Sequence, residues 1–126
     1  MNYEYMEQCA VIQELRLRYP DILFNADCGG IRTSWTQAKK AKASGHSKGF
    51  PDIFIYKACS GFHGLAIEMK TPKTYYSKKG HTSPEQKEWR EKLILEGYKA
   101  EICFGRDEAM SVIDNYLKRG GINAKS

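Results

Sequence analysis

The chain of 126 residues lacks several things that would narrow its class. No apolar run approaches the roughly 18 residues a bilayer span requires, so no membrane segment is expected. The start, Met1-Asn2-Tyr3-Glu4-Tyr5, has no basic stretch followed by an apolar one, which argues against a secretion signal. Cys9, Cys28, Cys59 and Cys103 form no C-x-x-C pair, so zinc-ribbon and dithiol chemistry are not expected. Their scatter suits reduced, mostly buried thiols in a cytoplasmic protein. His46, His63 and His81 show no metal-ligand spacing and read as surface residues. Internal repeats and low-complexity segments are missing too. Acid is in deficit: 15 Asp and Glu face 20 Lys and Arg, a net charge of +5. That balance suits a polyanion such as nucleic acid, although total charge alone is weak evidence.

What is present fits one α/β domain over residues 1–120, followed by a tail (121–126) expected to fray. Tyr5, Cys9, Ile12, Leu15 and Tyr19 recur at helical spacing, predicting an amphipathic helix over 4–18 stopped by Pro20. Ile22-Leu23-Phe24 is a short strand candidate, Gly29-Gly30 a loop, and 34–43 a short basic helix. Residues 52–56 and 65–70 read as strands around a turn at Ser60-Gly61. Ser83-Pro84-Glu85-Gln86 has the signature of a helix start, with Ser83 as cap, Pro84 in the first turn and Gln86 completing a capping box. That helix ends near Glu96, with Gly97 just beyond it. Tyr98, Ala100, Ile102 and Phe104 alternate as a strand, and 107–118 form a last helix, capped by Asp107 and stopped at Gly120. The order αβαββαβα implies a mixed β-sheet flanked by helices.

The chemistry concentrates in Gly49-Phe50-Pro51-Asp52 and Ile67-Glu68-Met69-Lys70. Strand side chains alternate faces, so Glu68 and Lys70 share one. A hairpin centred at position 60 sets Asp52 opposite Glu68, where Cβ atoms lie about 5 Å apart and like charges repel. Such a local conflict marks a functional site. A divalent cation held by both carboxylates removes the repulsion, and hard oxygen ligands suit Mg2+ or Mn2+. The backbone carbonyl of Met69 is a further candidate ligand. Lys70 beside that ion could orient or deprotonate water, or stabilise the charge of a pentavalent phosphorus. Together these are the parts that phosphodiester hydrolysis needs. The plainer alternative makes Asp52 a turn residue and Glu68-x-Lys70 an exposed ion pair worth less than about 1 kcal/mol.

The run Gly49-x-Pro51-Asp52, the pair Glu68-x-Lys70 and the later Ser83-Pro84-Glu85-Gln86 resemble, in order and spacing, the virus-type replication-repair nuclease (VRR-NUC) family of the PD-(D/E)XK nucleases. The resemblance extends from Glu7-Gln8 to Gly97-Tyr98 and is to the short, free-standing phage and bacterial type. It implies a restriction-endonuclease-like core, metal-dependent DNA hydrolysis, Asp52, Glu68 and Lys70 as active-site residues, and a role for Gln86 near them. It also implies an acid on the first helix, for which Glu7 is the best match and Glu14, two turns on, the rival. A Holliday junction resolvase-like activity on branched DNA is the implied function, with a homodimer supplying two cuts. The segment from Thr71 to Thr82 is longer than the family pattern needs.

Two basic stretches flank the acids and are candidates for phosphate contact: Lys39, Lys40, Lys42 and Lys48, then Lys73, Lys78 and Lys79. Tyr75 and Tyr76 could stack on an unpaired base. Arg32 could join that surface; Trp35 is either DNA-facing or core. Met110, Ile113 and Leu117 on the last helix are core residues or, alternatively, a dimer surface. Flap or nicking cleavage by the same chemistry, a restriction enzyme, and a non-catalytic nucleic-acid-binding module on the same fold remain rival functions.

Overall fold

The computed structural model describes residues 3–27, 43, 45, 48–72 and 81–125. Its elements are α1 (Tyr3–Arg18), β1 (Phe24–Ala26), β2 (Ile53–Ile55), β3 (Leu65–Lys70), α2 (Pro84–Leu95), β4 (Lys99–Phe104) and α3 (Arg106–Arg119). The strands form one sheet in the order β1-β2-β3-β4. β1 and β2 run antiparallel, as do β2 and β3, while β3 and β4 are parallel and joined through α2. The result is the mixed α/β architecture expected from the order of elements.

Two apolar layers sandwich the sheet. Ile53, Ile55, Leu65, Ile67, Met69 and Cys103 face one side, packed with Val11 and Leu15 of α1 and Met110, Ile113 and Leu117 of α3. The apolar residues of the last helix are therefore core. Phe54, Ala66 and Ala100 face the other side, under Leu93 of α2, Phe50 and Tyr98. The period-2 alternation of β3 divides its side chains between these layers, which sets Glu68 and Lys70 on the α2 side.

The helix ends follow local chemistry. Ser83 Oγ accepts from Gln86 N at 3.2 Å, and Gln86 Oε1 accepts from Ser83 N at 2.9 Å, which is the predicted capping box. At its other end Gly97 (φ 93°) closes the helix, with Tyr98 N donating to Leu93 O and Gly97 N to Ile94 O.

Several local expectations are corrected. Strand β1 begins at Phe24 because Ile22 N closes a turn onto Tyr19 O. Helix α3 starts at Arg106, so Asp107 lies inside it and Gly105 occupies the cap position with no side-chain hydrogen bond. The tail expected to fray is held through residue 125: Ile122 and Ala124 pack on the core, and Lys125 N donates to Arg18 O. The basic helix expected over 34–43, apart from its last residue, lies outside the described residues.

The largest correction concerns α1. Its buried stripe is Gln8, Val11 and Leu15, continued by Tyr19 beyond the helix end. Of the expected stripe, Tyr5 and Cys9 are turned outward and exposed, while Ile12 stays at the margin of the core. One residue of rotation is about 100° on a helix, and it decides which acid points inward.

Candidate metal centre

The site forms where β2 and β3 begin to part. Registry along the pair places Ile53 opposite Ile67 and Ile55 opposite Leu65. Continued by one residue, it sets Asp52 opposite Glu68. The turn alone does not produce this pairing. Cys59 and Phe62 bracket a two-residue turn whose central residues, Ser60 (φ 51°) and Gly61 (φ 86°), both take positive φ. Propagated without interruption, that turn would put Asp52 opposite Met69. Residues 56–58 on one arm face only 63–64 on the other, and this extra residue shifts the register by one, as a bulge does.

Asp52 is fixed on both sides. Its carbonyl accepts from Asp27 N at 2.7 Å on the β1 side. Its Oδ2 accepts from Met69 N at 2.7 Å on the β3 side, so the carboxylate takes over where the backbone ladder stops. Within a strand the N–H and C=O of one residue point to the same edge. The Met69 carbonyl thus faces the Asp52 edge, while Lys70 O accepts from Gly105 N on the β4 side.

Glu68 is 7 % exposed and Lys70 5 %, with Asp52 at 6 %. Glu68 Oε1 accepts from Gln86 Nε2 and lies 3.6 Å from Lys70 Nζ. The capping box and the site therefore share one side chain: Gln86 Oε1 holds the helix start and its Nε2 holds Glu68. The capping box expected for Gln86 is formed, and its amide donates to Glu68. Gly49 lets α2 come this close. A Cβ there would sit 2.6 Å from the Glu85 carbonyl carbon, and its φ of 89° suits glycine alone.

The third acid is Glu4. Oxygens of Glu4, Asp52 and Glu68 lie within 4.8 Å of one another, and no other such group of three occurs among the described residues. Glu4, Gln8, Val11 and Leu15 follow the i, i+4, i+7, i+11 pattern of one helix face, so the buried stripe carries Glu4 into the site. Glu7, the acid expected from the sequence, points elsewhere: its Oε1 lies against Gly105, in a pocket shared with Pro72 and Arg106. Glu14 pairs with Arg18 at 3.5 Å. Among the basic candidates Lys48 is exposed and lies 3.6 Å from Glu85 Oε1. Arg32, Lys39, Lys40, Lys42, Lys73, Tyr75, Tyr76, Lys78 and Lys79 lie outside the described residues.

The acids repel one another in a largely buried site. Burial, then the Asp52 charge, raises Glu68 to about 8. Burial raises Asp52 to about 6, against the opposing hydrogen bond from Met69 N. Burial also lifts Glu4 above its ordinary value, with Lys70 pulling the other way. Glu68 Oε2 is buried without a hydrogen-bond partner, an expensive state for a carboxylate oxygen. Three carboxylates and one ammonium leave two negative charges when ionised, which one divalent cation balances. An all-oxygen, anionic donor set fits Mg2+ or Mn2+.

Comparison with known proteins agrees with this fold. The family model of the VRR-NUC domain matches residues 3–107. This chain belongs to the VRR-NUC family. A VRR_NUC domain protein of solved structure is similar at a TM-score of 0.74 and 31% identity, over 94% of this chain and 90% of its own. No curated protein matches the chain. VRR-NUC domains are nuclease domains, so the buried acids of this VRR-NUC chain stand in a nuclease fold.

Proposed function

We propose that this chain is a divalent-metal-dependent endonuclease that hydrolyses phosphodiester bonds in branched DNA, with Asp52, Glu68 and Lys70 at its centre. The observation that carries the proposal is the gathering of Glu4, Asp52 and Glu68 oxygens within 4.8 Å of one another, with Lys70 Nζ 3.6 Å from Glu68 Oε1. A structural ion pair would not gather three acids around one ammonium.

Glu4, Asp52 and Glu68 would hold the ion, with the Met69 carbonyl on the same edge. Bound there, Mg2+ or Mn2+ supplies Lewis acidity toward the scissile phosphate and lowers the pKa of water. Asp52 is kept aligned by Asp27 N and Met69 N. Gln86 Nε2 and Lys70 Nζ fix the orientation of Glu68. Lys70, rigid and desolvated, offers its positive charge to the phosphate oxygens where negative charge grows in the transition state, an effect strengthened by the dry surroundings. The net charge of +5 draws the DNA backbone toward an otherwise acidic centre.

The likeness to short, free-standing family members supports a four-way junction as substrate and a two-fold homodimer, which sets two active sites on two strands. The test pairs the wild-type protein with Asp52→Ala on four-way, flapped, nicked and linear DNA, with and without Mg2+. Mg2+-dependent cuts by the wild type alone, at symmetric positions on the junction, support the reading. Equal cutting by both proteins refutes the site. Binding without cutting on every substrate assigns the chain a non-catalytic role, and cutting confined to flaps or nicks reassigns the substrate.

A further inference from the structure

We infer that Gln8 is a positioning residue of the carboxylate centre, joining the helix that carries Glu4 to the peptide that holds Asp52. The inference rests on the metal-binding reading of Glu4, Asp52 and Glu68.

The centre draws its three acids from separate elements: Glu4 from α1, Asp52 from the start of β2 and Glu68 from β3. Asp52 and Glu68 are tied through the sheet. Glu4 stands on a helix that packs on the sheet through Val11 and Leu15, both further along than Glu4 itself. Apolar packing is non-directional, so it permits small rotations and slides of the helix end. Metal coordination tolerates errors of only a few tenths of an ångström in ligand distance. A directional tie near Glu4 is therefore required, and Gln8 provides it.

Gln8 lies one turn after Glu4 on the same face, and it is buried at a position where the stripe is otherwise apolar. Its Nε2 donates to Asp27 O at 2.9 Å. The amide of the same Asp27 donates to Asp52 O at 2.7 Å. One residue thus receives the helix on its carbonyl and holds Asp52 with its N–H. Any shift of α1 relative to β1 strains this link before it displaces Glu4 from Asp52. Groups that hydrogen-bond behind metal ligands commonly change metal affinity by 10–100-fold when removed.

Gln8→Met keeps the length and apolar volume of the side chain and removes the donor. Mn2+ binding to the wild type, Gln8→Met and Asp52→Ala is measured by calorimetry well below each melting temperature, alongside hydrogen exchange at the Asp27 amide of the metal-free proteins. The expected result is a Mn2+ Kd raised by about tenfold or more in Gln8→Met and faster exchange at Asp27, with exchange in β3 and β4 unchanged. The Mn2+ concentration for half-maximal cleavage rises by the same factor while KM for DNA stays constant. A purely structural glutamine lowers the melting temperature and leaves the Kd within twofold, and that outcome overturns the inference. Equal Mn2+ binding by wild type and Asp52→Ala instead overturns the metal reading itself. Should Gln8→Met fail to fold, Gln8→Asn, which keeps the amide one methylene short of Asp27, is read by the same criteria.

Discussion

Replacing Asp52 by asparagine is expected to stabilise the metal-free protein above pH 6 while abolishing cleavage. Asparagine has the shape of a protonated aspartic acid, and its Oδ1 can keep the bond from Met69 N that Asp52 accepts at 2.7 Å. The residue is 6 % exposed, so the shift is not screened away by solvent. Burial raises the folded-state pKa of Asp52 from 3.8 to about 6. A raised acid contributes its full stability below the unfolded value, near pH 4, and loses it as pH climbs through the folded value, because the unfolded chain gives up its proton first. At 1.36 kcal/mol per unit, the ionised acid costs on the order of 3 kcal/mol above pH 6. The neutral amide of the Asp52→Asn variant carries no such cost at any pH. For a chain of this size the gain corresponds to about 10 °C in Tm. Thermal unfolding in EDTA at pH 8 and pH 4 reads the effect directly: a large gain at pH 8 and almost none at pH 4. Added Mg2+ should raise the Tm of the wild type at pH 8 and leave the variant unmoved. Identical melting of both proteins at pH 8, or an equal loss at both pH values, would refute the claim that uncompensated acid charge strains this site.

Glu4→Gln should weaken Mn2+ binding by at least about tenfold, whereas Glu7→Gln should leave it within twofold; calorimetry on the two variants decides which helix acid serves the metal. Gln86→Glu preserves the capping box, which accepts either residue, but turns a carboxylate toward Glu68 in place of a donor. Its cleavage rate should fall at least about tenfold with helix content by circular dichroism unchanged. Gly49→Ala meets both a positive φ and the Glu85 backbone, so a loss of about 1–3 kcal/mol in denaturant unfolding is expected. Because α2 must then retreat from Glu68, kcat should drop while KM for DNA holds.

The sequence determined the periodic parts. Strand β3 begins and ends at the predicted residues, since six residues of alternating environment between a glycine turn and a threonine leave little freedom. Helix α2 could be placed from Ser83, Pro84, Gln86 and Gly97, because capping and left-handed closure involve only neighbours in the chain. Glu68 and Lys70 on one face follow from alternation, and the repulsion between Asp52 and Glu68 pointed to a cation. The tertiary structure decided what depends on contacts between distant segments. A one-residue excess in 56–58 over 63–64 set the hairpin register that a turn centred between Ser60 and Gly61 would have missed. The rotation of α1 was hidden because Gln8, a polar residue, holds a core position while Cys9 and Tyr5, both apolar, are exposed. Helical spacing defines a set of possible faces, and only packing against the sheet selects one. That selection brought Glu4 inward and left Glu7 at Gly105, because burying Val11 and Leu15 outweighs the placement of any single surface acid.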